Sequence, residues 1–378
     1  MSKRTAFSIN LIAIGVLSLG LWGCGFGDVA RDKPYEVTGE DLDQAIQALP
    51  PDIGLLFSGV EFFGESLFVS SNVGVFEIAA DGSLSLFKWN NYDDVLSGPW
   101  NDRSANRLWF RHEASADFAT FDGREWRTIG LPMPEPTRGD LLHGFNGLTN
   151  KDGFWIQAAS REGWRWNEES SEWRLISLPE VKCRDYYDGT DTYSCLASIA
   201  PTDSREFVIM HGEFISPSTD VRNSKADRPA PDRVFFREGM DWKEVERSDD
   251  PDFVTETVVT TPSTVYIRSH YGPYFRVDEN GIQSIGSPGR GGAFTETSEG
   301  GLIVSVPRIG IFEYRDGWVK IYDCPYPPDY PVAFEYLAES NGKIAFAAVP
   351  DPSDTHGYGA KSRLWTLIGK DLVERTIP

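Results

Sequence analysis

The stretch from Gly163 to Pro179, GWRWNEESSEWRLISLP, reads as a β-hairpin. Two short tryptophan-bearing runs flank a polar turn, and a proline closes the second run. Variants recur along the chain: FATFDGREWRTIGLP ends at Pro132, VFFREGMDWKEVERS at Ser248 and GIFEYRDGWVKIYDCP at Pro325. A chain that repeats one hairpin must stack its copies, because a single small sheet cannot cover both of its apolar faces.

A second mark fixes the period. Seven three-residue apolar runs begin at Leu67, Leu108, Phe154, Phe207, Val265, Leu302 and Ile344, spaced 41, 46, 53, 58, 37 and 42 residues apart. Runs apolar on consecutive positions fit strands buried on both faces, unlike the alternation of a half-exposed sandwich. The hairpin that follows carries Trp126, Trp173, Trp242 and Trp318 at matching positions, with Leu84, Ile282 and Leu372 in the other units. Small or aromatic segments at Gly59–Phe62, Leu196–Ile199, Gly292–Thr295 and Phe334–Leu337 supply a first strand. Four strands per unit and seven units predict an all-β chain, a seven-bladed β-propeller over 53–378, with six or eight blades as alternative counts. The units are 58–89, 96–132, 142–179, 194–248, 253–288, 291–325 and 332–378, and Ile215 to Asp232 reads as a surface insertion in the fourth.

Gly310, Tyr314, Asp316-Gly317 and Trp318 form a pattern of glycine, aromatic, tight turn and tryptophan. It resembles bacterial propellers of the kelch and two-component-regulator kind. The resemblance spans 58–378 and implies architecture; those families bind, sense or catalyse, so no activity is carried over.

The first residues are of another type. Ser2-Lys3-Arg4 is basic, Ala6 to Leu21 carries no charge, and Leu21-Trp22-Gly23-Cys24 follows. This resembles a bacterial lipoprotein signal over 1–23. It implies lipidation of Cys24, a bilayer as partner through that residue and, with Gly25 rather than an aspartate after it, the outer membrane. An uncleaved membrane anchor or an ordinary secretory signal is the alternative. Residues 24–52 read as a tether with one short helix, capped by Thr38, acidic in its first turn and ended by Leu49-Pro50-Pro51.

Three more cysteines stand at Cys183, Cys195 and Cys324. In an oxidising compartment a disulfide is expected. Cys183 and Cys195 lie 12 residues apart around a turn-rich loop, and their bridge is the expected one; pairing of Cys324 with either is left open.

The formal charge is −21 overall and −23 from Cys24 onward, because Lys3 and Arg4 are the only charges before it. Such a field repels phosphate backbones, so no nucleic acid is expected as partner. The body carries no HExxH, Gly-x-Ser-x-Gly, Walker or dinucleotide signature, so no cofactor or metal is expected. Asp185, Asp188 and Asp191, like Asp249, Asp250 and Asp252, lack EF-hand spacing and read as solvated loops.

The connections after second strands and between blades are taken to share the face that binds ligands. His112, His211 and His270 each follow a second-strand run, and His143 opens the third unit. Histidines at one repeated position read as a polar ring at the channel mouth, or as separate surface groups. Arg111, Arg268, Arg290 and Arg308 map to similar loops and suit an acidic ligand or local acids. Tyr326 and Tyr330, like the tyrosines between Cys183 and Cys195, suit a protein interface. The expectation is a lipid-anchored envelope propeller, non-catalytic, that binds an envelope protein or extracellular ligand through its loops. The alternatives are a glycan hydrolase or lyase, with carboxylates or the histidines at the mouth, and a scaffold in outer-membrane assembly.

Overall fold

The computed structural model describes residues 34–38, 44, 47, 55–89, 95–113, 117–130, 147–157, 162–181, 183–184, 191–192, 197–211, 232–246, 250, 252–289, 292–324, 332–350, 363–368 and 371–375. All belong to the unit spanning Asp32–Pro378.

Seven four-stranded antiparallel blades follow one another, each with its four strands in chain order; the first gains a fifth strand and a separate two-stranded hairpin follows the third. Their first strands are Phe57–Phe63, Leu96–Asp102, Gly147–Asn150, Ala197–Pro201, Thr255–Thr260, Phe294–Glu296 and Val332–Ser340. All seven apolar runs fall on second strands: Ser66–Ser71, Arg107–His112, Gly153–Gln157, Glu206–Met210, Val265–Ser269, Leu302–Val306 and Lys343–Pro350. The recurring hairpin is the third and fourth strand of each blade. Each first strand packs beside the first strands of the two neighbouring blades, and the seventh packs on the first, so the ring is closed.

The core is divided as the ring is. Seven buried apolar clusters occupy the seven blade-to-blade interfaces. Trp109, Phe118, Phe154 and Trp166 fill the space between blades 2 and 3. Trp109 and Phe154 stack there, with ring centroids 4.3 Å apart. Ala200, Phe207, Ile209, Phe253, Ile267 and Phe275 fill that between blades 4 and 5. This is why second strands are apolar on consecutive positions: each face of a blade meets a neighbour.

The recurring tryptophan fastens one blade to the preceding one. The Nε1–H of Trp173 in blade 3 donates to Gly130 O beyond blade 2, at 2.9 Å. Trp242 in blade 4 donates to Ser177 O of blade 3 at 3.1 Å. Trp318 in blade 6 donates to Ile285 O of blade 5 at 2.8 Å. Trp126 in blade 2 is the exception, its Nε1 buried without a partner among the described residues. The preceding blade also differs from the others. There the outer edge is taken by a fifth strand, Pro34–Val37, paired antiparallel with Leu84–Trp89.

Pro34–Val37 lies in the stretch read as a tether. The helix expected after Thr38 lies outside the described residues except Gln44 and Gln47, which are helical. Cys24 lies outside them too. Strand Cys183–Arg184 pairs with Asp191–Thr192, closing a hairpin around the expected bridge, but the side chains of Cys183 and Cys195 lie outside the described residues. Cys324 is a free thiol packed on the cluster between blades 6 and 7, which removes it from the alternative pairings.

In a four-stranded antiparallel blade, the second-to-third connection and the passage to the next blade leave from the same end. The connections spanning 131–146, 212–231, 325–331 and 351–362 start and end at that loop face, and their own residues lie outside the described ones. The opposite, turn face holds the tight hairpins between first and second strands. Its turns are tied to one another: Asn101 Nδ2 donates to Phe62 O, Asn150 Nδ2 to Thr202 O, and Lys151 N to Asp203 Oδ1.

Candidate functional site

The first strands line an axial channel. Its upper part is a cavity of about 680 Å³ walled by blades 1, 2, 3, 5, 6 and 7. A second cavity of about 340 Å³ opens towards the turn face. Glycines let the strands approach the axis: a Cβ on Gly59 would lie 1.4 Å from Gly98 O of the next blade.

Two ion pairs mark the upper cavity. Arg111, ending the second strand of blade 2, pairs with Glu113 at 2.5 Å. Arg268, near the end of that strand in blade 5, pairs with Glu256 at 3.1 Å, donates to Thr257 Oγ1 at 3.2 Å and also donates to Gly292 O. Local carboxylates thus answer both arginines.

The deeper end is acidic. Arg103, in the first turn of blade 2, reaches Glu296 of blade 6 at 3.5 Å. Blades 2 and 6 are not neighbours, so this pair spans the channel. Arg103 and Glu296 line both cavities, and their bridge stands between the two. Glu296 Oε2 is buried and has no partner among the described residues. Glu339 of blade 7 is buried and held by three bonds, from Ser298 N, from Ser298 Oγ at 3.1 Å and from Gly342 N at 2.7 Å. Glu61, from the first strand of blade 1, accepts Phe62 N at 2.9 Å.

Glu61 is half-buried in the cavity wall. Burial pushes its carboxyl up to about 8, and Glu296 and Glu339 add to the rise while Phe62 N and Arg103 oppose it. Burial likewise pushes Glu296 up to about 7, against Arg103 and with Asp203 and Glu339. One guanidinium faces three carboxylates at this end, and the rise of Glu61 and Glu296 favours their protonated forms near neutral pH.

The residues anticipated from sequence are distributed unevenly. Arg111 and Arg268 line the cavity. His112 is buried against Trp89 between blades 1 and 2, ring centroids 5.2 Å apart. His211 stands between blades 4 and 5, where its Nε2 is 2.9 Å from Ser198 Oγ. His270 is exposed beside Tyr271. His112 and His211 occupy different blade junctions, and none of the three histidines lines the cavity. Among the described residues no group of three metal-ligating side chains converges. Arg308 is exposed in the turn after blade 6's second strand, with φ at 65°. His143, Tyr326 and Tyr330 lie on connections that start and end at the loop face, outside the described residues, as does Arg290.

Glu61, Glu296, Glu339 and Arg103 were not singled out from sequence. The available signal was a carboxylate inside or at the end of a first strand, in Val60-Glu61-Phe62 and Phe294-Thr295-Glu296. Many other acids in this chain obscure it.

No family model matches the chain, and no curated protein sequence matches it. Solved structures do. The β-propeller domain of the Trilobed protease from Pyrococcus furiosus, described as having an open velcro topology, is similar over 85% of this chain and 98% of its own, at TM-score 0.57 and 9% identity. The Pyrococcus horikoshii acylaminoacyl peptidase is similar over 86% of this chain and 52% of its own, at TM-score 0.56 and 7% identity. A streptogramin B lyase is similar over 86% and 93%, at TM-score 0.52 and 9% identity. At such identities the likeness is one of architecture, and with the ring of four-stranded sheets it identifies the chain as a seven-bladed β-propeller.

Proposed function

We propose that this propeller binds a small ligand bearing a basic nitrogen, which enters by the loop-face mouth and seats its cationic group beside Glu61 and Glu296. The observation that carries the reading is the meeting of Glu61, Glu296 and Glu339 with a single arginine at the deep end of a channel cavity. About 680 Å³ is the size of a pocket for a small organic molecule. A cation there replaces the protons that the raised carboxyls hold. The −21 net charge draws cations towards the mouth. Binding of this kind needs no chemical step.

The same proposal places the protein in the cell envelope, moored by lipid on Cys24. The basic, apolar and Gly-Cys segments support it. Labelled palmitate enters the wild-type chain and not Cys24→Ser, and that variant moves from the membrane to the soluble fraction.

Calorimetry with a panel of amines, diamines and amino sugars, against sugar acids as the opposite charge, tests the ligand class. Binding by the cationic members, weakened at least 10-fold in Glu61→Gln and accompanied by proton release at pH 7, is the expected result. Preference for the acids, or affinity indifferent to Glu61→Gln and Glu296→Gln, overturns it.

A further inference from the structure

A second cluster lies between blades 4 and 5 at the loop face, away from the channel carboxylates. Ser198 stands on the first strand of blade 4, Ala197–Pro201. His211 is the first residue after the second strand. Asp232 is the residue before the third, Arg233–Glu238. Ser198 Oγ is 2.9 Å from His211 Nε2, and His211 Nδ1 is 3.4 Å from Asp232 Oδ2. Serine, imidazole and carboxylate are therefore in series through the two different ring nitrogens.

The serine and the imidazole reach the surface, and the carboxylate does not. Ser198 is half-buried, His211 has 19% of its side chain exposed, and Asp232 has 1%. The carboxylate is fixed from the far side: Thr255 N, opening the first strand of blade 5, donates to Asp232 Oδ2 at 2.6 Å. Asp232 N donates to Phe253 O at 3.0 Å. An ionised Asp232 only accepts, which favours the His211 tautomer with its hydrogen on Nδ1 facing the acid. Nε2 is then the acceptor and Ser198 Oγ the donor, which is the polarity that activates a hydroxyl.

We propose that Ser198, His211 and Asp232 form a nucleophilic site that hydrolyses small acyl esters. Ser198 Oγ attacks the ester carbonyl carbon, and its proton passes to His211 Nε2. The bond from carbonyl carbon to the alcohol oxygen breaks, and the alcohol leaves with that proton. Water then attacks the acyl-Ser198, giving one proton to Nε2; the acid departs and Ser198 Oγ recovers the proton. Ser198 and His211 are the catalytic residues, and Asp232 is a positioning residue that holds the imidazole tautomer. Ser198 is seated on a strand, His211 and Asp232 adjoin strand ends, and the acid is anchored by the next blade. The Gly-x-Ser-x-Gly turn absent from the sequence belongs to a different scaffold; a triad is recognised by geometry.

The purified full chain is treated with a fluorophosphonate probe, the adduct is mapped by peptide mass spectrometry, and p-nitrophenyl acetate hydrolysis is followed. The expected adduct is on Ser198. Ser198→Ala abolishes it and lowers hydrolysis at least 100-fold, while thermal unfolding shows the fold intact. His211→Gln slows labelling at least 10-fold. Asp232→Asn lowers kcat by about 10²-fold or more and shifts the pH profile, which a merely structural acid does not do. An unlabelled Ser198 beside a labelled serine-hydrolase control overturns the proposal. So does labelling at the same rate in His211→Gln. Calorimetry with the amine panel on the same preparation reads the channel, so the esterase result and the channel reading stand or fall separately.

Discussion

The tryptophans illustrate how one side chain does two jobs at one repeated position. The indole fills an inter-blade core, and its N–H satisfies a carbonyl of the preceding blade. A hydrogen bond of this kind contributes about 1 kcal/mol net. Trp173→Phe, Trp242→Phe and Trp318→Phe are each expected to lower stability by about 1 kcal/mol in urea unfolding. Trp126→Phe is expected to cost nothing or to stabilise slightly, because its Nε1 is buried with no partner among the described residues. Equal losses at all four positions contradict the latch.

The channel acids act at the same scale with the opposite sign. Glu61 rises from its ordinary 4.5 to about 8, so the folded state holds a proton that the unfolded state has released. Stability associated with this group is complete below pH 4.5 and is lost as pH rises through about 8. Glu61→Gln removes that loss. The variant is expected to be more stable than wild type at pH 8, and its midpoint to decline less between pH 4.5 and 8. Denaturation curves across that range check the sign, and a wild-type midpoint that rises through the window contradicts it.

Elements are shaped by how near the axis they run. First strands crowd the axis, and the Gly59–Gly98 approach leaves no space for a methyl group. Gly59→Ala forces the first strands of blades 1 and 2 apart and is expected to cost about 3 kcal/mol, at the upper end for overpacking. Gly317→Ala is a control for chain stiffness, since its Cβ meets nothing within 4 Å and its φ lies outside the left-handed region. A Gly59→Ala loss no larger than the control's shows the strands free to separate. Fourth strands, by contrast, form the rim, and Pro34–Val37 shows that one such edge is long enough to accept a further strand. Covering that edge removes a row of free backbone groups that would otherwise invite pairing with another chain.

At the scale of the whole molecule, the ring closes without exchanging strands. Blades 1 and 7 are each complete from consecutive residues, and they meet through Val60, Phe62, Val69, Ala338, Ala345, Ala347 and Leu364. Ala345 and Ala347 are wholly buried, so blade 7 packs closely on blade 1 through small side chains. Ala347→Leu is expected to cost about 1–3 kcal/mol. Hydrogen exchange in that variant is expected to quicken first in Phe57–Phe63 and Val332–Ser340. Uniform quickening around the ring would mean that the closure is no weaker than the other interfaces.

The architecture was legible in the residues. Apolar triplets, tight turns and a recurring tryptophan are local signals, and the need to cover both faces of each small sheet converts them into a count of seven. The site was legible only in part. Arg111 and Arg268 were found because they follow second strands, whose ends repeat in sequence. His211 was noticed for the same reason, but its partners were not, since Ser198 lies 13 residues before it and Asp232 lies beyond an insertion. The meeting of Arg103 with Glu296 joins blades that the chain separates by most of a circuit. Composition and period set what each blade is made of. Ring closure alone decided which side chains face each other across the axis, because that distance is set by the number of blades and not by any local pattern.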